Sequence, residues 1–246
     1  KYDGVNAPSM VADIYSGSDN SDPGDLTVFN NELYFRASDA TYGRELWKYD
    51  GTNAPSMVAD IFSGSLSSDP ADLTVFNNEL YFRAYDGTNG YELWKYDGVN
   101  APSLVADINS GISSSYPSEL TVFNNELYFQ AYGGTNGYEL WKYDGLNAPS
   151  MVADIRAGFG GSSPYDLTVF NNELYFEADD GTNGDELWKY DGVNAPSMVA
   201  DIYSGSDNSD PGDLTVFNNE LYFRAYDGTN GYELWRYSQQ TTITYS

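Results

Sequence analysis

The groups in this chain best equipped for chemistry are carboxylates, and they recur at a fixed interval. Glu45, Glu92, Glu139, Glu186 and Glu233 each stand directly before a Leu-Trp pair, and Asp13, Asp60, Asp107, Asp154 and Asp201 each stand between Ala and Ile. Paired carboxylates are the machinery of glycoside hydrolysis. That reaction needs two carboxylates in different environments, whereas repeated groups in repeated surroundings behave alike. The expected role of the glutamates is therefore structural, binding loop amides or an Arg or Lys between units, and no catalytic residue is assigned. The neighbouring Trp47, Trp94, Trp141, Trp188 and Trp235 offer flat faces for sugar stacking. Set between Leu and Lys or Arg inside a strand, they read first as core.

Two further sets of residues are candidates for binding. Asp19, Asp22 and Asp25, copied as Asp207, Asp210 and Asp213, supply the oxygen ligands that Ca²⁺ prefers. Their spacing lacks the Gly and Glu positions of an EF-hand loop, and the third unit has Ser113, Tyr116 and Glu119 in their place. A solvated acidic loop is the first reading, and no metal site is assigned. The second set comes from the positions at which the repeats differ. Differences gather in Tyr15–Gly24, Phe62–Ala71, Asn109–Ser118, Arg156–Tyr165 and Tyr203–Gly212. These loops begin with Tyr15, Phe62, Asn109, Arg156 and Tyr203. A smaller variable set is Arg44, Tyr91, Tyr138, Asp185 and Tyr232. In a four-stranded meander both sets emerge on one side, where loops on a rigid frame usually bind. These ten residues are the candidate ligand-facing positions.

What must hold these residues in place follows from composition and repetition. The 246 residues include neither Cys nor His, so thiolate and imidazole chemistry are excluded, and no cofactor is expected. With 37 acidic against 11 basic residues, the formal charge of −26 repels nucleic acid and anionic membrane surfaces. No apolar run is long enough for a helical membrane span. Starting at Lys1 rather than Met, the chain reads as a processed or excised segment.

The Glu-Leu-Trp step recurs every 47 residues without insertion or deletion, and five such units leave an 11-residue tail. Each unit reads as four strands. In the first these are Leu26–Phe29, Glu32–Ala37, Glu45–Tyr49 and Ser56–Ile61. Asn30-Asn31 forms a two-residue hairpin turn between the first pair. Leu33, Phe35 and Ala37 share one face of the second strand and Tyr34 lies on the other, so both faces are to be covered. Four antiparallel strands per unit, covered on both sides and repeated in tandem, predict an all-β, five-bladed β-propeller. It is expected to occupy residues 1–237 as one domain, with 238–246 as a tail. The last unit lacks its fourth strand, and Ser9–Ile14 is expected to supply it and close the ring. Thr241–Tyr245 is the second candidate for that edge.

The stretch Glu45-Leu46-Trp47-Lys48-Tyr49-Asp50-Gly51-Thr52 resembles the bacterial ELWxxDGT repeat family. The resemblance runs through all five units, together with the Asn-x-Leu-Tyr-Phe and Ala-Asp-Ile segments. It departs where Val99, Leu146 and Val193 replace Thr52, and at Arg236-Tyr237-Ser238. It implies propeller blades and a surface or secreted setting, and it identifies a scaffold without an established reaction. Lys1–Ala37 is identical to Lys189–Ala225, which points either to recent amplification or to engineering. The expected function is a non-enzymatic scaffold for display or interaction, with a carbohydrate or another protein surface as partner. A multivalent lectin is the alternative and a Ca²⁺-stabilised adhesion module the second. The chain is expected to be mainly monomeric, with strand-swapped oligomers allowed by its near-interchangeable units.

Overall fold

Each unit turns first at its Asn-Asn pair. In the computed structural model, which describes residues 7–239, all ten of these asparagines have φ between 47° and 62°. Two successive positive φ values make the turn whose twist matches that of the flanking strands, and asparagine tolerates them better than other non-glycine residues. In the first unit the turn joins β1 (Gly24–Phe29) to β2 (Glu32–Asp39), with Phe29 opposite Glu32. The chain continues through β3 (Gly43–Tyr49) and β4 (Ser56–Ala59).

The later units repeat this order. The second sheet is β5 (Ala71–Phe76), β6 (Glu79–Tyr85), β7 (Tyr91–Tyr96) and β8 (Ser103–Ala106). The third is β9 (Ser118–Phe123), β10 (Glu126–Tyr132), β11 (Tyr138–Tyr143) and β12 (Ser150–Met151). The fourth is β13 (Tyr165–Phe170), β14 (Glu173–Asp179), β15 (Asp185–Tyr190) and β16 (Ser197–Ala200). The fifth has three strands among the described residues, β17 (Gly212–Phe217), β18 (Glu220–Tyr226) and β19 (Tyr232–Tyr237). Every sheet is an antiparallel meander, and the chain is an all-β protein of five propeller blades. It packs as two compact units, Lys1–Ser118 and Glu119–Ser246.

The alternation along the second strand decides how blades pack. Within the first unit, Phe29, Tyr34 and Leu46 leave the rear of the first sheet and pack among Leu73, Leu80, Phe82, Ala84 and Tyr96 on the front of the second. Within the second unit, Phe170, Tyr175 and Leu187 meet Leu214, Leu221, Phe223 and Ala225 in the same way. Phe123, Tyr128 and Leu140 repeat the contact on the fourth sheet. Each such cluster is a plug of Phe, Tyr and Leu set into a groove of Leu, Leu, Phe and Ala. The tryptophans line the groove side, as Trp188 and Trp94 do, which places them in the core. The buried tyrosine is satisfied at its polar end: Tyr34 donates its hydroxyl to Glu32 at 2.9 Å, and Lys48 holds the same carboxylate at 3.0 Å.

Two expectations are corrected. The fourth strands stop short of Ile61 and its copies, β4, β8 and β16 at Ala59, Ala106 and Ala200 and β12 at Met151, because the isoleucine N–H leaves the ladder to bond a side chain. Ser9–Ile14 is not a strand, and among the described residues the fifth sheet has no strand beyond β19. Its Ile14 instead packs with Leu33, Tyr49 and Met57 around Phe35, Ala37 and Trp47 on the front of the first sheet, while Met10 and Val11 stay exposed. The alternative closing segment, Thr241–Tyr245, lies outside the described residues.

The turn geometry is directly testable. Asn77→Val places a β-branched residue at φ 47° and is expected to lower stability by about 1–2 kcal/mol in a denaturant titration. Asn78→Gly creates an Asn-Gly step at φ 61° and is expected to hold or raise stability.

Candidate functional site

Four of the five repeated glutamates, Glu45, Glu92, Glu139 and Glu186, are fully buried, and their oxygens are taken by the chain itself. Glu45 Oε2 accepts from the Ile61 N–H at 3.0 Å and the Ser68 hydroxyl at 2.6 Å. Its Oε1 accepts from the Ser68 N–H at 3.0 Å and the Phe62 N–H at 3.4 Å. Glu92 binds Ile108 and Ser115 in the same way, Glu139 binds Ile155, Arg156 and Ser162, and Glu186 binds Ile202, Tyr203 and Ser209. The expectation that these carboxylates hold loop amides is met. The serine donors were not anticipated, although Ser21, Ser68, Ser115, Ser162 and Ser209 stay constant, with one Gly and one Pro per loop, among residues that vary. Burial pushes Glu45 and Glu92 up to about 7 from an ordinary 4.5, against the pull of their hydrogen bonds. Burial raises Glu139 and Glu186 as well. Glu233, on β19, is exposed.

Because the glutamate fixes both ends of the loop, the loop in turn fixes the start of the third strand. The Ser114 hydroxyl accepts from the Tyr91 N–H at 2.9 Å, and the Tyr91 carbonyl accepts from the Ser115 and Tyr116 N–H groups at 3.1 Å. Approach is so close at Gly90, φ 75°, that a Cβ there would lie 2.5 Å from the Ser113 carbonyl oxygen. Only glycine fits. The Ser68 carbonyl then accepts from the Tyr85 N–H of the following sheet at 2.9 Å.

The variable side chains sit on this rigid loop platform, where many of them partner one another. In the first unit Arg44 lies between Asp22 at 3.4 Å and Asp69 at 3.2 Å. Tyr91 donates to Asp69 at 3.2 Å, stacks on Tyr116 with ring centres 5.2 Å apart, and abuts Tyr85, which Phe62 meets edge-on. Asn109 bonds the Ser114 carbonyl at 3.0 Å within its own loop. Tyr15 is half-buried, with Ser38 where the second sheet has Tyr85. In the second unit Tyr138 packs on Tyr132 and Arg156 pairs with Asp179. Tyr203 meets Tyr226 edge-on, and Tyr232 packs on Tyr226, bonds Asp210 and lies under Arg224.

The acidic triplets are likewise engaged in the fold. Asp25 has φ 52° at a bulge in β1, pairs with Arg36 at 2.9 Å and accepts from the Asp72 N–H at 3.1 Å. Asp213 pairs with Arg224 at 3.6 Å, and the Asp207 carbonyl faces Gly184. Asp19 is exposed. The carboxylates that do converge are Asp210 of the second triplet, Asp185 of the variable set and Glu177, which the sequence reading did not mark; their oxygens lie within 4.8 Å of one another. Sequence comparison between units holds the signal for this cluster: Glu177 occupies the position of Arg36, Arg83, Gln130 and Arg224. Burial first, then repulsion from Asp185 and Asp210, pushes Glu177 up to about 8, and Arg224 offsets this only in part. Burial also raises Asp185, with Asp179 and Asp210 adding to it.

No protein-family model and no curated protein matches the chain. Among solved structures it is similar to the β-propeller domain of the Trilobed protease from Pyrococcus furiosus, with a TM-score of 0.53 and 10% identity over 89% of this chain and 69% of that one. It is similar to a mutant puromycin hydrolase complexed with PGG, with a TM-score of 0.58 and 13% identity over 88% of this chain and 36% of that one. The computationally designed Ika8 protein aligns at a TM-score of 0.48 and 20% identity, over 85% of this chain and 57% of that one. The chain thus spans little more than half of Ika8 and about a third of the hydrolase. The likenesses to the two natural proteins show a propeller fold and nothing further.

The raised carboxyl groups give the protein a pH profile. Between an ordinary 4.5 and about 7 for Glu45 and Glu92, or about 8 for Glu177, the folded chain holds protons that the unfolded chain has released. Stability is therefore expected to fall as pH rises through that window. Glu177→Arg should raise the melting temperature near pH 8 and do so less near pH 5, where the native carboxyl is already neutral. Glu92→Gln turns an NH₂ group toward buried donors and should cost about 1–3 kcal/mol in a denaturant titration.

Proposed function

We propose that this chain is a non-enzymatic propeller scaffold of the ELWxxDGT type, with a structural or display role and no reaction of its own. The observation that supports this most is the state of the repeated glutamates. Glu45, Glu92, Glu139 and Glu186 are 0% exposed, and each engages loop N–H groups and a serine hydroxyl. A general acid or nucleophile must reach its substrate, and these carboxylates reach only their own loops. The variable face supports the same reading. Its rings stack on one another, as Tyr91 does on Tyr116, and its charges pair locally, as Arg44 does with Asp69.

Thermal unfolding across a panel of sugars at high concentration, with Ca²⁺ and with chelator as further conditions, tests this reading. The expected result is no shift in any condition. A ligand at 100 times its Kd would add about 2.7 kcal/mol per site, so even weak repeated sites would register. A shift confined to one sugar family would replace the scaffold with a multivalent lectin. A shift with Ca²⁺ alone would make the acidic loops its ligands.

A further inference from the structure

The loop between second and third strands ends in Thr-Asn-Gly in four of the five units, which sets Asn89, Asn136, Asn183 and Asn230 each before a glycine. In three of them an aspartate three residues earlier holds the asparagine. Asp86 accepts from the Asn89 N–H at 2.8 Å and from its side-chain NH₂ at 2.6 Å. Asp180 holds Asn183 in the same way at 2.9 and 2.8 Å, and Asp227 holds Asn230 at 2.7 and 2.6 Å. Each of these amides is tied to the start of its own loop.

The third unit has Gly133 where those three have the aspartate. The Asn136 amide turns out of its loop instead. Its NH₂ donates to the exposed Asp154, just past β12, at 2.8 Å, and its Oδ1 accepts from the Thr135 hydroxyl at 2.8 Å. The Thr135 N–H, whose copies also bond the aspartate, donates to the Gly133 carbonyl at 3.0 Å. Two successive glycines, Gly133 and Gly134, leave this stretch of backbone with more freedom than its copies have.

We propose that Asn136 is a site of spontaneous modification, where the side-chain amide is lost through a ring closed by the Gly137 nitrogen. Solvent hydroxide takes the Gly137 N–H proton, and that nitrogen attacks Cγ of Asn136. The bond from Cγ to the amide nitrogen breaks, the leaving nitrogen takes a proton from water, and ammonia departs from a five-membered succinimide. Water then adds to either ring carbonyl and opens the ring to aspartate or isoaspartate. The sum is one water consumed and one ammonia released. Glycine carries no side chain to obstruct the closure. The Thr135 hydroxyl, bonded to Oδ1, sits where negative charge develops as the nitrogen adds. At the copies the ring closes only after an aspartate has released the asparagine backbone as well as its side chain. One such charge-assisted bond corresponds to roughly tenfold in rate. The product carries one more negative charge, facing Asp154 where the amide had donated.

The test is incubation of the full chain in mildly alkaline buffer, with peptide mapping by mass spectrometry to follow all four Asn-Gly steps. Thr-Asn-Gly is common to the four, so in denaturant they are expected to convert alike. In the folded chain Asn136 is expected to convert roughly tenfold faster than Asn89, Asn183 and Asn230. Gly133→Asp restores the aspartate and should bring Asn136 down to the rate of its copies. That substitution sets a Cβ 2.9 Å from the Trp141 ring, so Asp86→Gly, which removes bulk, is its partner and should raise Asn89 toward the rate of Asn136. Equal rates at the four sites of the folded wild type overturn the proposal without any variant. An excess at Asn136 that persists in denaturant overturns it too, as does an Asn89 rate that Asp86→Gly leaves unchanged.

Discussion

A carboxylate buried beside the tryptophan of each of the first four sheets is the fastener on which those blades depend. Sinking a charged group into a protein interior is costly unless every oxygen is hydrogen-bonded. Glu45 meets that demand with two N–H groups at the end of its fourth strand and, seven residues on, the N–H and hydroxyl of Ser68. The loop between those points has its ends fixed by the glutamate rather than by its own sequence. Residues 65–67 and their counterparts are therefore free to differ from unit to unit, while the Ser68 carbonyl stays placed to receive the Tyr85 N–H of the following sheet. Rigidity and variability on the same face have one cause.

Much of this architecture is written in local residue patterns. Alternation of Leu33, Phe35 and Ala37 against Tyr34 predicts two buried faces, and the clusters on either side of the first sheet contain those residues as assigned. The Asn-Asn turns follow from backbone sterics alone. The end of the fourth strand was not legible, because Ala-Asp-Ile continues the pattern of a strand. What stops it is a glutamate 16 residues earlier that competes for the Ile61 N–H. The lack of a strand at Ser9–Ile14 has the same character. Ser9–Ala12 has the composition of its copies, but a strand forms only where a partner edge is present.

The candidate site was legible in position and less so in behaviour. Differences between units marked Arg44, Tyr91, Tyr138, Asp185 and Tyr232, and most of these lie within reach of one another's loops. Their mutual pairing could not be read from spacing, since Tyr91 meets Asp69 and Tyr116 from two different loops. Glu177 shows how drift in a repeat registers physically. Where Arg36 and Arg83 neutralise Asp25 and Asp72, the fourth unit has a carboxylate facing Asp185 and Asp210. One sign change turns a compensated position into a repulsive one, and burial first, with that repulsion added, raises the protonation of Glu177.

Every sheet presents a front groove and a rear plug that fit each other, as Leu73, Leu80, Phe82 and Ala84 receive Phe29, Tyr34 and Leu46. The formal net charge of −26 acts against this packing through self-repulsion. That repulsion falls off within about 10 Å at 0.1 M salt, while apolar contacts between sheets act only at contact and are not screened. Salt therefore weakens the repulsion and leaves the packing intact, so the melting temperature is expected to rise with ionic strength. A fold held mainly by surface ion pairs would lose stability under the same conditions, and the sign of the salt dependence separates the two.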